Sequence, residues 1–361
     1  MKKLPKAKKI NSERYIAGLS FFKKKAVKIK LSANESALGP SPKAIKAYNS
    51  ISTNFVRYPD SDGINLRKKL AKKFKINIEQ IILGSGSDQI LELVCKAFLN
   101  KNDEVVVSQN SFIVYRIYSK INGAKIKFAK EKKLHFSINN VLSCITNKTK
   151  IVFIANPNNP TGTYINRFDL INLRKKIRSN ILLVVDDAYY EYVKDKNYSS
   201  GLKLFSKSRN VLVTRTFSKL YGLAGLRVGW GYSSKDIIKS LNQIKPPFNI
   251  NTPGLSAAEA AVSDNIWTIK EINHVNKWRK KMFSEFKRMK IQTNLGQANF
   301  LLINFDRVKF SSIKVFQELA KRGILVRKMD AYGIKNSLRI TIGTVKENKE
   351  LLYKIGKILN V

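Results

Sequence analysis

Cysteine and histidine are almost missing: the 361 residues hold two of each. Cys95 and Cys144 are too few for a disulfide framework and are not spaced as a metal pair. With His135 and His274 as the only imidazoles, a zinc or copper centre has almost no ligands to draw on, so no metal site is expected. Acidic residues are scarce too, 25 against 68 lysines and arginines, which leaves a net charge of +43. Such a balance raises a nucleic-acid or anionic-membrane partner. Against it, the lysines are spread over the whole chain and replace arginine nearly throughout, with Asn and Ile abundant, as a compositional bias produces. Small anionic substrates fit the charge better than specific nucleic-acid binding. Long apolar runs are absent as well. Ile181 to Val185 is typical of the longest, against the ~18–20 residues that span a bilayer. The basic opening MKKLPKAKKI has no apolar stretch behind it, so no secretory signal is expected and the chain reads as cytoplasmic.

What is present is ordinary globular usage, 43% hydrophobic and 26% charged. At ~150 residues per domain the length suggests two domains. Short β-branched runs stand at 81–83, 105–107, 150–155, 181–186, 211–214 and 226–231, with helical candidates such as Asp88–Leu99 and Phe168–Arg178 between them. That alternation predicts an α/β fold with a mostly parallel sheet covered on both faces. Beyond about residue 252 the texture changes. One long lysine-rich helix over roughly 255–290 is expected, then runs at 299–305, 324–327 and 338–342 and a closing helix from about 346. This predicts a smaller α+β domain. The expected boundaries are 1–30 as an arm or part of the small domain, 31–255 as the large domain, and 256–361 as the small domain.

Four motifs carry chemistry. GSGSD at 84–88 follows a strand and opens a helix, where free backbone N–H groups and the helix dipole make an anion site. A dinucleotide fingerprint is disfavoured because its third glycine is missing, and no Walker A lysine pattern occurs. NPNNPTG at 156–162 fixes a turn at the end of a strand, where open α/β sheets bind ligands. ILLVVDDAYYEY at 181–192 puts Asp186 at the end of a buried strand, and an acid there needs a cation or donors. The fourth, TRTFSKLYGLAGLRVGW at 214–230, sets Lys219 between a strand and a glycine-punctuated loop, with Arg227 eight residues on. Phe217, Leu220 and Tyr221 around that lysine are surroundings that lower its pKa and suit a Schiff-base nucleophile.

The chain resembles the fold-type I pyridoxal-phosphate (PLP) enzymes of aminotransferase class I/II, and among them is most similar to the histidinol-phosphate aminotransferases. The likeness rests on ordered motifs running nearly end to end: LSANESALGPSP at 31–42, RYPD at 57–60, the four motifs above, PPFNIN at 246–251 and LRITIG at 338–343. It implies that Lys219 binds PLP covalently and moves the substrate's alpha proton, and that Asp186 keeps the pyridinium nitrogen protonated. It further implies that Asn159 and Tyr189 reach the 3′ oxygen and that Phe112 stacks on the ring. The backbone groups of Gly86, Ser87 and Asp88, the hydroxyls of Thr216 and Ser218, and Arg227 would take the cofactor phosphate. Tyr58 would reach the phosphate of a neighbouring subunit, which implies a homodimer. Tyr15, Asn34, Arg327 and Arg339 would hold substrate, with Arg339 on a carboxylate or its equivalent and Arg327 on the substrate phosphate. The family usually shows Tyr-x-Pro-Gly followed by lysine at the first of these, where this chain has Ala17 and Leu19. The activity implied is transamination of L-histidinol phosphate with 2-oxoglutarate, giving imidazole acetol phosphate and glutamate, in histidine biosynthesis. Alternatives are another transamination of a phosphorylated or aromatic amine, decarboxylation of a phosphorylated amino acid on the same lysine and aspartate, and a non-catalytic basic RNA-binding module.

Overall fold

A seven-stranded sheet forms the centre of the molecule, seen in a computed structural model that describes residues 12–16, 18, 21–22, 25–51 and 56–360. Its strands are β1 (Ile81–Gly84), β2 (Glu104–Ser108), β3 (Lys125–Ala129), β4 (Thr149–Ala155), β5 (Leu182–Asp186), β6 (Val211–Thr216) and β7 (Gly229–Tyr232). They lie in the order β1-β7-β6-β5-β4-β2-β3. β7 alone runs against its neighbours, antiparallel to both β1 and β6. The remaining pairs are parallel. Side chains alternate as a pleat requires. Val152, Ile154, Leu183, Val185 and Val213 join one buried cluster, while Ile151, Phe153, Leu182, Val184 and Leu212 join Ile90, Leu91 and Val94 of the Gly86–Phe98 helix in another. Both faces are therefore covered, as the unbroken β-branched runs predict.

Three details differ from the sequence reading. β3 was not expected: KIKFA carries lysines at alternate positions because it is an edge strand, with Lys125 and Phe128 exposed. The run at 226–231 yields a strand only from Gly229, since Arg227 adopts a left-handed φ of 55° and its carbonyl accepts from the Gly86 N–H at 3.1 Å. The single helix expected over 255–290 is two, Thr252–Val262 and Asn265–Arg288. The break is local chemistry: the Asp264 carboxylate accepts from the Trp267 N–H at 3.3 Å and so starts a new helix.

A second sheet follows the long helix, with strands β8 (Gln292–Thr293), β9 (Phe300–Asn304), β10 (Arg327–Lys328) and β11 (Ser337–Thr341) in the antiparallel order β8-β9-β11-β10. The run at 324–327 serves two sheets. Ile324–Leu325 pairs in parallel with Ile29–Lys30, and β10 begins two residues later. The segment beyond Lys30 continues along this sheet, since the Thr341 N–H donates to the Leu31 carbonyl at 3.0 Å. Among the described residues no helix is long and apolar enough to cross a membrane.

Candidate active site

The carboxyl ends of β4, β5 and β6 open on a cavity of about 230 Å³, closed on its far side by β10 and β11. All the candidate residues line it except Gly86 and Tyr58. Gly86 lies just behind, at a φ of +76°, where an added Cβ would run into the Arg227 guanidinium. Tyr58 is outside, 82% exposed and stacked on Phe248 with ring centroids 4.5 Å apart. Ala17 and Leu19, the departures from the family's loop, lie outside the described residues.

Lys219 and Asp186 anchor the floor. The Lys219 Nζ donates to the Ala33 carbonyl at 3.3 Å. Burial, helped by the positive Arg339, pulls its pKa down to about 8, so roughly a tenth of the amine is unprotonated at pH 7. Asp186 is buried, and that burial pushes its carboxyl up to about 6. Its hydrogen bonds come from the Tyr115 hydroxyl at 2.7 Å and the Ala188 N–H at 3.2 Å rather than from a cation. Asp187, next in the chain, is spent elsewhere: it pairs with the buried Arg215 at 3.4 Å and accepts from the Gly201 and Leu202 N–H groups.

An anion cup forms at the start of the Gly86–Phe98 helix. Ser87 and Asp88 open the first turn, and no side chain caps the helix. Arg227 reaches across it, with Nη2 at 3.2 Å from Asp88 and Nη1 at 3.3 Å from the Ser218 hydroxyl. The Ser218 N–H donates to the Thr216 hydroxyl at 3.0 Å. Backbone donors, hydroxyls and a guanidinium at a helix N-terminus make a phosphate site.

The opposite wall holds two more arginines. Arg327 and Arg339 stand directly across from one another on β10 and β11, and both are buried. Arg339 donates to the Asn159 amide oxygen and, at 3.1 Å, to the Ser32 carbonyl. Arg327 donates to the Ile16 carbonyl, beside Tyr15. Burial pushes the Tyr15 hydroxyl up to about 12, and its ring meets Phe112 edge-on at 6.4 Å. The Asn34 amide donates to the Tyr189 hydroxyl at 2.9 Å, which leaves the Tyr189 hydrogen to be given to a ligand. Tyr115 and Tyr332, which also line the cavity, were missed by sequence reasoning. Tyr115 lies on the buried face of the Val114–Ile121 helix, where a tyrosine reads as core.

A buried lysine and a buried carboxylate without a cation, facing a phosphate cup at a helix N-terminus, define the site of a fold-type I PLP enzyme. The donors fit that cofactor: a protonated ring nitrogen would supply the cation Asp186 lacks, and the cup suits the phosphate. The description aminotransferase class I and II matches residues 26–355, and the chain belongs to that family. It is a PLP-dependent aminotransferase. The chain is 50% identical over 358 residues to a histidinol-phosphate aminotransferase of Pelagibacter ubique, covering 99% of each. It is 39% identical to that of Paramagnetospirillum magneticum, covering 89% of each. Histidinol-phosphate aminotransferase from Sinorhizobium meliloti, solved in complex with pyridoxal-5′-phosphate, has the same fold, with a TM-score of 0.88 at 21% identity, covering 93% of this chain and 91% of that one.

Proposed function

We propose that the protein transfers the amino group of L-histidinol phosphate to 2-oxoglutarate, giving imidazole acetol phosphate and glutamate, as a step of histidine biosynthesis. The observation that carries this reading is the cross-strand pair Arg327 and Arg339, both buried and both lining the cavity. Like charges directly opposite on a sheet repel, so the pair calls for a substrate anion. The full-length identity to a histidinol-phosphate aminotransferase supports the same substrate. Guanidinium forks pair with phosphate and carboxylate alike, which suits a pocket that accepts a phosphorylated amine in one half-reaction and glutamate in the other.

PLP, when bound, supplies an electron sink that makes the substrate's alpha proton acidic. In this reading Lys219 is the residue that would hold the cofactor covalently and carry the proton to and from the alpha carbon. Asp186 would keep the proton on the ring nitrogen. Asn159 and Tyr189 would donate to the 3′ oxygen, and Phe112 would cover the ring. The Ser87 and Asp88 N–H groups, the Thr216 and Ser218 hydroxyls and Arg227 would hold the cofactor phosphate, with Gly86 leaving room for the Arg227 head. Arg339 and Arg327 orient the substrate with Tyr15 and Asn34 beside them, and the Arg339–Asn159 contact ties substrate binding to the cofactor's 3′ side.

The wider assignment follows the same line. A homodimer is supported by the exposed Tyr58–Phe248 stack, since exposed stacked aromatics suit an interface. The boundaries remain 1–30, 31–255 and 256–361 in this reading, and the pairing of Ile29–Lys30 with Ile324–Leu325 supports joining the first segment to the small domain. Free Cys95 and Cys144 agree with a cytoplasmic setting. The test is single-turnover mixing of the PLP form with histidinol phosphate, histidinol, aromatic amino acids and phosphoserine. Conversion to the pyridoxamine form by histidinol phosphate far faster than by histidinol is expected. Arg327→Ala should raise KM for the phosphate ester about ten- to a hundredfold, by loss of a charge-assisted contact of about 1.5–3 kcal/mol. Equal reaction of histidinol, or release of carbon dioxide from phosphoserine, would overturn the assignment.

A further inference from the structure

The Asp186 carboxylate is approached by a side chain that the family motifs do not name. The Tyr115 hydroxyl donates to Asp186 Oδ2 at 2.7 Å, and both residues are buried. The Ala188 N–H donates to the other oxygen. Tyr115 is itself held on two sides. Its ring stacks on Phe153 of β4 with centroids 4.9 Å apart and planes 3° from parallel, and it meets Phe112 edge-on at 5.6 Å. We propose that Tyr115 is a positioning residue for transamination: by donating to Oδ2 it fixes the direction of the Asp186 carboxylate and favours its anionic form. The inference rests on the assignment of Asp186 to the cofactor's ring nitrogen.

The physical case is a balance of two opposing effects. Burial disfavours a carboxylate anion, and hydrogen bonds donated to the anion restore it. Tyr115 is the side-chain donor to Asp186, with the Ala188 N–H on the other oxygen. Across the cavity, Asp88 and Tyr189 act on Asp186 as well, and Asp88 works against ionisation. The Asp187 carboxylate is turned to Arg215. Tyr115 is kept protonated, since its own burial and the adjacent Asp186 push its pKa well up. It is therefore a donor at every working pH. The stacked ring holds the hydroxyl in place, so Asp186 need not be ordered by the ligand.

The test uses holoenzyme loaded with PLP carrying 15N in the ring. In Tyr115→Phe the ring nitrogen signal should move toward its deprotonated position. Turnover should fall about tenfold, with KM within about twofold, because the loss lies in the chemical step. Phe153→Leu loosens the stack but keeps the donor, and should lower Tm while moving the signal much less than Tyr115→Phe does. An unchanged signal in Tyr115→Phe, or an equal movement in Phe153→Leu, overturns the proposal. Should Tyr115→Phe not accumulate folded, 3-fluorotyrosine placed at 115 keeps the ring and strengthens the donor; the signal should then move the other way, and no movement overturns the proposal. Asp186→Asn separates the two readings. If that variant leaves the signal unchanged, the assignment of Asp186 fails and takes the Tyr115 role with it; if it moves the signal while Tyr115→Phe does not, only Tyr115 is refuted.

Discussion

At the scale of single residues the site keeps two ionisable groups in states that cost stability. Asp186 shows this best, because its pKa in the folded chain is raised to about 6 from an ordinary 3.8 by burial. Between those two values the folded state holds a proton that the unfolded state has lost, so stability falls as pH rises through that window. Above about 6 the cofactor-free chain carries a buried carboxylate without a cation, which the ring nitrogen of bound PLP would supply in the proposed arrangement. Asp186→Asn should therefore raise the Tm of the cofactor-free protein at pH 7.5 and leave it nearly unchanged at pH 3.5, while removing most turnover from the loaded enzyme. Thermal melts of the stripped protein at both pH values, together with the rate of the loaded variant, check this. A Tm that drops at pH 7.5 would place the carboxylate among the stabilising groups. Near-normal turnover would assign the ring nitrogen to another acid, and Asp187 is a poor choice, since Arg215 and two backbone N–H groups already claim it.

At the scale of elements the phosphate cup depends on two backbone positions of opposite character. Gly86 takes a φ of +76° that glycine adopts freely, and Arg227 takes 55° without that freedom. The Gly86 N–H donates to the Arg227 carbonyl, so the two loops lock each other. Gly86→Ala adds a Cβ at the Arg227 guanidinium and should cost about 1–3 kcal/mol of backbone strain. Its expected signature is weaker PLP binding by equilibrium titration, with Lys219 still able to react once the cofactor is in excess. The GSGSD and SKxxGxxGxR spacings made this cup legible in the sequence because glycine and a helix start leave a local trace. The unbroken β-branched runs did the same for β2, β4, β5 and β6. β3 was hidden because an edge strand alternates lysine with apolar residues and reads as surface. The break at Asp264 was hidden because a helical period continues on both sides of it. Tyr115 escaped for another reason: its partner lies 71 residues away, and a tyrosine on an amphipathic helix reads as core until its hydroxyl's neighbour is known.

At the scale of the whole molecule, one feature of the RYPD motif separates a shared site from a self-contained one. Tyr58 does not line the cavity of its own chain; it is exposed and stacked on the half-exposed Phe248. A cyclic dimer places the same patch of one protomer against its partner twice, so a tyrosine projecting from that patch serves both cofactor sites or neither. Tyr58→Phe and Lys219→Ala should each be poor alone at limiting PLP, the first through a lost phosphate hydrogen bond and the second through loss of the cofactor's covalent holder. Mixing the two variants under subunit exchange distinguishes the arrangements. If Tyr58 acts across the interface, a mixed dimer has one site with both residues intact and one with neither. Random pairing should then restore about a quarter of the parent activity, because half the dimers are mixed and each holds one good site. If Tyr58 acts within its own subunit, every site in a mixed dimer carries one defect and the mixture shows only the mean of the two variants. Exchange is verified by following differently tagged chains, and a mean-valued result with exchange complete would remove Tyr58 from the shared site.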